Sequence, residues 1–163
     1  MKTRLKTDVI MIHCAYTRPS MDIAAEWIKD IHVNENKWSD IGYHYFIQRD
    51  GTVEDGRDIT LQGAHCPAVN KTSIAICMAG GMSENAIRSE NNFTEQQWES
   101  LVRVVEQIRH IYNIPLENIL GHYERDVNKD CPAFNMDSFR ILLNSCITGT
   151  KSKFMGSKNN EYP

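Results

Sequence analysis

The sequence predicts an α/β fold, a single domain in which α-helices flank a central mixed β-sheet. Short apolar runs rich in β-branched residues alternate with stretches of helical periodicity, and one evident hairpin supplies an antiparallel pair of strands. The length of 163 residues is near the usual size of one domain. We expect the folded domain to span residues 1–148. Residues 149–163 are polar and lack periodicity, and we expect them to form a disordered tail.

The first strand and the first helix are predicted close to the start of the chain. Residues 8–13 form a short apolar run that ends at His13, which suits a buried strand. Ser20 can then cap a helix that carries Asp22 in its first turn and ends near residues 33–34. The apolar stripe of this helix comprises Ile23, Ala24, Trp27, Ile28 and Ile31.

A β-hairpin and a further strand are predicted next. Two strand-like segments, residues 43–49 and 52–57, flank Asp50 and Gly51, which are typical of a two-residue turn because both readily adopt positive φ angles. Residues 72–79 form another apolar, β-branched run. We expect this run to be a buried strand of the same sheet.

A long helix is predicted in the second half of the chain. Thr94, with Gln97 three residues later, makes a capping box at its start, and Pro115 predicts its end. Its apolar stripe comprises Trp98, Leu101, Val102, Val105, Ile108 and Tyr112. A final short helix is predicted over residues 137–143.

Composition argues against several classes of partner. The chain has 18 basic and 21 acidic residues, a formal net charge of -3, so no global positive field attracts nucleic acid or an anionic membrane. No stretch approaches the ~20 consecutive apolar residues that a membrane helix needs, and the basic start lacks the apolar region of a secretory signal. We expect a monomeric cytoplasmic protein without a signal peptide, which binds neither nucleic acid nor membrane.

Most histidines and cysteines have simple structural interpretations. We expect His32 and His110 to be surface residues and His44 to pack or to form hydrogen bonds in the sheet. Five cysteines in this spacing do not indicate a disulfide framework. The thiols expected to be small buried or incidental groups are Cys14, Cys66, Cys77 and Cys146.

Three residues are candidate metal ligands. His13 closes an apolar strand, His122 follows a short apolar segment, and Cys131 lies in a polar loop. Two imidazoles and one thiolate would fill three tetrahedral positions on Zn²⁺ and leave the fourth for water, as in catalytic zinc sites. The ligands are dispersed along the chain and match no compact motif, so their spacing alone is weak evidence and favours unrelated structural roles over a metal site.

Five segments of the chain carry a resemblance to a known family. They are residues 9–14, residues 38–46, residues 49–57, residues 63–65 with Asn70 and residues 73–76, and Gly121 with His122 through Cys131 and Pro132. Through these segments, which occur in the family's order, the chain resembles the N-acetylmuramoyl-L-alanine amidases. That family includes amidase-type bacteriophage lysozymes and peptidoglycan recognition proteins. The resemblance implies that the domain over residues 1–148 is an amidase domain.

The resemblance also implies a set of site residues. It places the ligands of one Zn²⁺ per chain on His13, His122 and Cys131, and catalytic roles on Tyr43 and Lys129. His65 and Trp38 correspond to residues that line the substrate groove. The implied substrate is bacterial peptidoglycan, cut between N-acetylmuramic acid and L-alanine by zinc-activated water, in the manner of a bacteriolytic phage endolysin or a bacterial recycling amidase.

Other functions fit parts of the same pattern. A peptidoglycan-binding module without turnover would share the fold, but related binding modules typically lack the metal-binding cysteine that Cys131 matches. A regulatory factor that binds another protein is a second alternative, for which the sequence offers no motif. A zinc nuclease is a third, and the absence of basic clusters disfavours it.

Overall fold

Five strands and three α-helices make up the part of the chain that the computed structural model describes, residues 1–147. The strands are β1 (Val9–Cys14), β2 (Tyr45–Ile47), β3 (Val53–Asp55), β4 (Ser73–Met78) and β5 (Ile119–Gly121). The α-helices are α1 (Ala25–Asp30), α2 (Glu95–Tyr112) and α3 (Met136–Ile147). A π-helical segment, Ile31–Glu35, extends α1, and 3₁₀ turns occupy Leu116–Asn118 and His122–Glu124.

The sheet is mixed, as the sequence predicts. Its strand order is β3-β2-β4-β1-β5, and β3 alone runs antiparallel to its neighbour in this sheet. All residues of β1 and β4 are buried, which is typical of parallel strands that are covered on both faces. The α/β fold class is therefore confirmed.

Helices cover the two faces of this sheet. On one face, Ile12 and Ile76 of the central strands pack in a cluster with Trp98 of α2 and with residues of α3. On the other face, Cys77 packs in a cluster with Ile28 of α1. Side chains alternate along a strand, so His13, which is paired in register with Cys77, points to the α1 side of the sheet.

The hairpin forms where it is predicted, but the prediction of a two-residue turn was wrong. The N–H of Gln48 donates to the carbonyl of Thr52 (2.9 Å), and the N–H of Gly51 donates to the carbonyl of Gln48 (3.0 Å). Gly51 has φ of 87°, whereas Asp50 does not adopt a positive φ. The loop is therefore a three-residue turn, in which only the third position needs the left-handed conformation that glycine supplies.

The start of α1 also differs from the prediction. Ser20 does not cap the helix, because its N–H and hydroxyl both donate to the carboxylate of Glu84. The N-cap residue is Ala24, which offers no side-chain acceptor. Instead, Glu54 on the neighbouring hairpin accepts the N–H of Ala25 at 2.7 Å. A carboxylate from another element thus satisfies a free donor at the helix N-terminus.

The long helix α2 confirms the predicted capping box. Thr94 accepts the N–H of Gln97, and the Gln97 side chain accepts the N–H of Thr94. The helix ends because Asn113 takes a left-handed conformation with φ of 54°, and Pro115 follows two residues later. Pro115 is therefore not the direct cause of the helix end.

Some elements lie outside the predicted boundaries. Strand β5 was not predicted, because three residues give too short a pattern to recognise. Helix α3 extends beyond the predicted residues 137–143 at both ends. The predicted domain end at residue 148 and the predicted tail over 149–163 lie outside the described residues. Within residues 1–147, no helix has the length and apolar character needed to cross a membrane.

Candidate metal centre

The three predicted ligand residues lie close together at the carboxyl ends of two neighbouring strands. His13 is near the end of β1, and His122 directly follows β5, the parallel neighbour of β1. Cys131 lies on the loop that leads from β5 to α3. One donor atom from each of the three side chains lies within 4.8 Å of the others. Ligand sites in α/β proteins usually lie at the carboxyl ends of the parallel strands, as this cluster does.

A hydrogen bond, a contact between two rings and a close packing of the loop against β5 hold the three side chains together. The Cys131 sulfur accepts the backbone N–H of Cys14 (3.2 Å) and lies 3.6 Å from Nδ1 of His13. The rings of His13 and His122 have a centroid separation of 4.6 Å. A Cβ at Gly121 would lie 2.7 Å from Pro132, so glycine here lets the loop that carries Cys131 pack directly against β5.

Burial sets the protonation states of this cluster. Burial, followed by the influence of His65 and His122, holds the pKa of His13 well below its usual value. Burial also raises the pKa of the Cys131 thiol well above its usual value. Without a cation, the cluster therefore holds a neutral imidazole and a neutral thiol. Cys131 would bind a metal ion as the thiolate, with its proton released to solvent, and the charge of the cation would compensate the buried negative charge.

Tyr43 contacts the cluster from the loop that precedes β2. Its ring centroid is 5.1 Å from that of His13. Burial, followed by the thiols of Cys77, Cys131 and Cys14, raises the pKa of Tyr43 well above its usual value. The phenol therefore stays protonated at neutral pH and can act as a hydrogen-bond donor.

Lys129 lies beside the cluster on the exposed loop that carries Cys131. The pKa of His122 is lowered first by burial and then by the positive charge of Lys129. The backbone N–H of Lys129 donates to the carbonyl of Asp126 (3.0 Å), which closes a turn in this loop. Lys129 is therefore a cation whose charge acts on a candidate ligand.

A cavity of about 300 Å³ opens next to Tyr43. One wall is formed by the chain directly after β1, and another by α1 and its π-helical extension. The lining residues are Ala15, Tyr16, Thr17, Arg18, Met21, Trp27, Ile28, Ile31, His32, Tyr43, Met82 and Ala86. Tyr43 lines this cavity and its ring contacts that of His13, so a molecule bound in the cavity would lie close to a candidate ligand.

The two predicted groove residues do not line this cavity. Trp38 is 38% exposed, and its ring contacts that of His32, a lining residue, at a centroid distance of 4.5 Å and an interplanar angle of 36°. His65 lies behind the metal cluster, where its Nδ1 is 3.0 Å from Nε2 of His13. The predicted metal ligands, Tyr43 and Lys129 are thus brought together, whereas Trp38 contacts a lining residue of the cavity and His65 contacts a candidate ligand.

The remaining histidines and cysteines have structural environments. His32 was predicted to be a surface residue, but it is only 8% exposed. It lies in the π-helical segment, and its Nδ1 accepts the N–H of Gly42. The predictions for His44, which is buried and hydrogen-bonded, and for His110, which is exposed, are confirmed. The four other thiols are free; Cys14, Cys66 and Cys77 are buried and Cys146 is exposed.

Comparison with known proteins decides the family. The family model for N-acetylmuramoyl-L-alanine amidase matches residues 3–134. The chain belongs to this family. It is 38% identical over 133 residues to an endolysin of Enterobacteria phage K11, and the match covers 82% of this chain and 85% of that relative.

Solved structures of other proteins have the same architecture. The endolysin N-acetylmuramoyl-L-alanine amidase LysCS from Clostridium intestinale has a TM-score of 0.72 and 28% identity, with 85% of this chain and 84% of that chain covered. Drosophila PGRP-LB has a TM-score of 0.64 at 22% identity, with 81% of this chain and 78% of that chain covered. The second similarity is evidence for the fold alone.

The sequence did not reveal most of the cavity lining. Trp27 was predicted to belong to the apolar stripe of the first helix; it is 41% exposed and lines the cavity. Its exposure, which marks this wall, is visible only in the structure, because helical spacing does not distinguish Trp27 from the buried Ile28. Arg18 and Met82 come from loops on either side of the cavity, and no local pattern identifies them.

Proposed function

We propose that this protein is a zinc-dependent amidase that hydrolyses the bond between N-acetylmuramic acid and L-alanine in bacterial peptidoglycan. The observation that carries the proposal is the grouping of donor atoms of His13, His122 and Cys131 within 4.8 Å of one another. A cavity lined by Tyr43, whose ring contacts His13, lies beside this cluster. Membership of the amidase family supports the same reaction.

The donor set fits Zn²⁺. Imidazole nitrogen and thiolate sulfur are ligand types that zinc prefers, and three protein ligands leave a fourth position open, as in catalytic zinc sites. Among residues 1–147, these three form the group of His, Cys, Asp and Glu side chains that is close enough to hold a metal ion. Zinc in such a site lowers the pKa of a bound water to about 7 and polarises a carbonyl as a Lewis acid.

Two side chains of this protein can stabilise the charge that develops on the amide oxygen. Amide hydrolysis places negative charge on the carbonyl oxygen, so the site needs donors directed at that atom. Lys129 is charged and accessible beside His122, and Tyr43 holds a protonated phenol next to His13. We assign both residues to this role.

The cavity has the chemistry expected for a stem peptide. Trp27, Met21 and Met82 offer apolar surface, while the exposed Arg18 offers a positive charge in the same lining. Such a mixture suits a substrate that carries both alkyl side chains and carboxylates. Trp38 would then support the wall through its contact with the ring of His32.

The biological setting follows from the same proposal. An enzyme of this activity acts on the cell wall, and the relative from phage K11 is an endolysin. We infer that the protein acts as an endolysin after release from the cytoplasm, as a monomer that needs no nucleic acid or membrane partner.

The products of peptidoglycan digestion test the proposed bond. Purified sacculi should yield new α-amino groups on alanine and separate into glycan strands and free stem peptides. New reducing sugar ends should not appear, because they are the products of a glycosidase. A glycosidase would need a pair of carboxylates that flank the sugar linkage. Lysis accompanied by reducing ends and no new amino termini would refute the amidase function. Binding to sacculi without release of amino groups would identify a non-catalytic binding module.

A further inference from the structure

A chain of hydrogen bonds runs from His13 into the interior behind the metal cluster. Nε2 of His13 lies 3.0 Å from Nδ1 of His65, and Nε2 of His65 lies 3.1 Å from the hydroxyl of Ser73. The Ser73 hydroxyl lies 2.8 Å from the carbonyl oxygen of Val69. The chain therefore connects a candidate ligand, through two side chains, to the backbone.

The direction of each hydrogen bond in this chain follows from its last member. A carbonyl oxygen only accepts, so the single hydrogen of the Ser73 hydroxyl must point to Val69. The contact between Ser73 and His65 must then be donated by the Nε2–H of His65. In a neutral His65, Nδ1 consequently carries a lone pair and accepts a hydrogen bond from His13.

This direction fixes the tautomer of His13. Its Nε2 must carry the hydrogen, so its lone pair is on Nδ1. Nδ1 is the atom that lies 3.6 Å from the Cys131 sulfur, on the side of the cluster. The lone pair available for a metal therefore points toward the other two candidate ligands.

Several local features hold His65 in this position. The Asn70 side chain accepts the backbone N–H groups of His65 and Cys66 at 3.0 and 2.9 Å. A Cβ at Gly63 would lie 2.4 Å from the His65 ring, so only glycine leaves room for that ring. Ser73, the first residue of β4, is fully buried. The arrangement is thus built into the sheet and the adjoining loop.

We propose that His65, supported by Ser73, is a positioning residue that fixes the tautomer and the ring orientation of His13 for metal binding. This inference rests on the proposed zinc function, and it assigns His65 to support of a ligand rather than to the substrate groove. Hydrogen-bonded partners of metal-bound histidines typically contribute about 10- to 100-fold to metal affinity.

Zinc affinity of a matched set of variants tests the proposal. His65→Leu removes the acceptor for His13, and competition with a chromogenic chelator should show zinc binding weakened by about 10- to 100-fold. His65→Asn keeps an acceptor at the position nearest His13 and should retain most of the affinity. His44→Gln is the control, because His44 is buried nearby but bonds to the backbone of Leu61 and Ala75. Its affinity should equal that of the wild type.

The tautomers themselves provide a readout that needs no zinc. Nitrogen NMR of the folded metal-free protein should show His13 and His65 both protonated at Nε2, and Ser73→Ala should weaken that preference at His65. A His13 protonated at Nδ1, or a folded His65→Leu variant with wild-type zinc affinity, would overturn the proposal. If the wild type bound no zinc at all, the proposed function would fail, whereas the tautomer measurement would still decide this inference.

Discussion

Cys131 is the candidate ligand that must become negatively charged in order to bind a metal ion. A buried thiolate without a compensating charge is costly, and burial accordingly raises the pKa of this thiol. The backbone N–H of Cys14 donates to its sulfur, which orients the sulfur toward His13. The surroundings of Cys131 therefore suit a thiolate that is compensated by a bound cation, and they differ from those of a solvent-exposed thiol.

Replacement of Cys131 should abolish metal binding. After dialysis, metal analysis should find about one zinc per chain in the wild type and almost none in Cys131→Ser, because a hydroxyl is a far weaker zinc ligand than a thiolate. Cys146→Ser is the matched control, since this thiol is exposed and outside the cluster. A full zinc content in Cys131→Ser would show that the metal centre is elsewhere.

Lys129→Ala should impair turnover without destabilising the fold. Removal of one donor to the developing oxyanion typically lowers kcat by about 10²- to 10³-fold. The side chain is exposed, so the melting temperature should stay within a degree or two of the wild type. Lys71→Ala, which removes another exposed lysine, should leave the release of α-amino groups unchanged. A normal rate for Lys129→Ala would return Lys129 to a solvated surface role.

Tyr43→Phe isolates the phenol from the ring. The phenylalanine ring preserves the contact with His13, and the variant loses only the hydroxyl that is assigned to the transition state. We expect a loss in kcat on the order of 10²-fold with zinc content unchanged. Loss of zinc from this variant would instead indicate that Tyr43 supports the metal cluster.

At the scale of secondary-structure elements, the side chain of His44 connects β4 to the loop that contains Leu61. Nδ1 of His44 accepts the N–H of Ala75 in β4 at 2.9 Å, and its other nitrogen lies 3.0 Å from the carbonyl of Leu61. A protonated ring would direct a hydrogen at the N–H of Ala75. Burial lowers the pKa of His44 from 6.5 to about 4, which agrees with this requirement for a neutral ring.

The low pKa of His44 makes stability depend on pH in a defined direction. Above pH 6.5 the ring is neutral in both the folded and the unfolded chain, and its contribution to stability is fully present. Between pH 6.5 and about 4 the unfolded chain binds a proton that the folded chain refuses, so stability falls as the pH falls. Between pH 7 and pH 4.5 this loss amounts to about 2 to 3 kcal/mol.

Urea unfolding of His44→Gln measures that contribution. In excess chelator, the drop in unfolding free energy between pH 7 and pH 4.5 should be smaller than in the wild type by the same amount, since glutamine does not titrate. His110→Gln, on the exposed side of α2, should behave as the wild type does. Equal pH dependence in wild type and His44→Gln would mean that the ring titrates normally.

The elements predicted from the sequence are those whose signals are local. The capping box of Thr94 and Gln97 and the apolar run of β4 each lie within a few residues, and both were predicted correctly. The cap of α1 was not, because its acceptor is Glu54 on the hairpin. Strand β5 escaped prediction because its three residues are defined by pairing with β1 rather than by a pattern of their own.

At the scale of the whole molecule, the candidate site depends on contacts between remote segments. His13 is separated from His122 by most of the domain, and residue type together with family resemblance was enough to nominate both. Neither signal could reveal that Trp27 lines the cavity or that His65 lies behind His13, because those facts depend on how the loops pack on the sheet. The chemistry of the site was therefore predictable, but its second layer of contacts was not.

Zinc should stabilise the whole fold, because its candidate ligands join β1 to the region after β5. A metal that binds the folded chain selectively stabilises it by about 2.7 kcal/mol at a free concentration of 100 Kd. For a domain of this size such a gain raises the melting temperature by roughly 5–10 °C. Calorimetry of the protein with zinc and with excess chelator should show this difference, and readdition of zinc should restore the higher value. The difference should disappear in Cys131→Ser and persist in Cys146→Ser. Identical melting temperatures with and without chelator in the wild type would contradict a metal link between these segments.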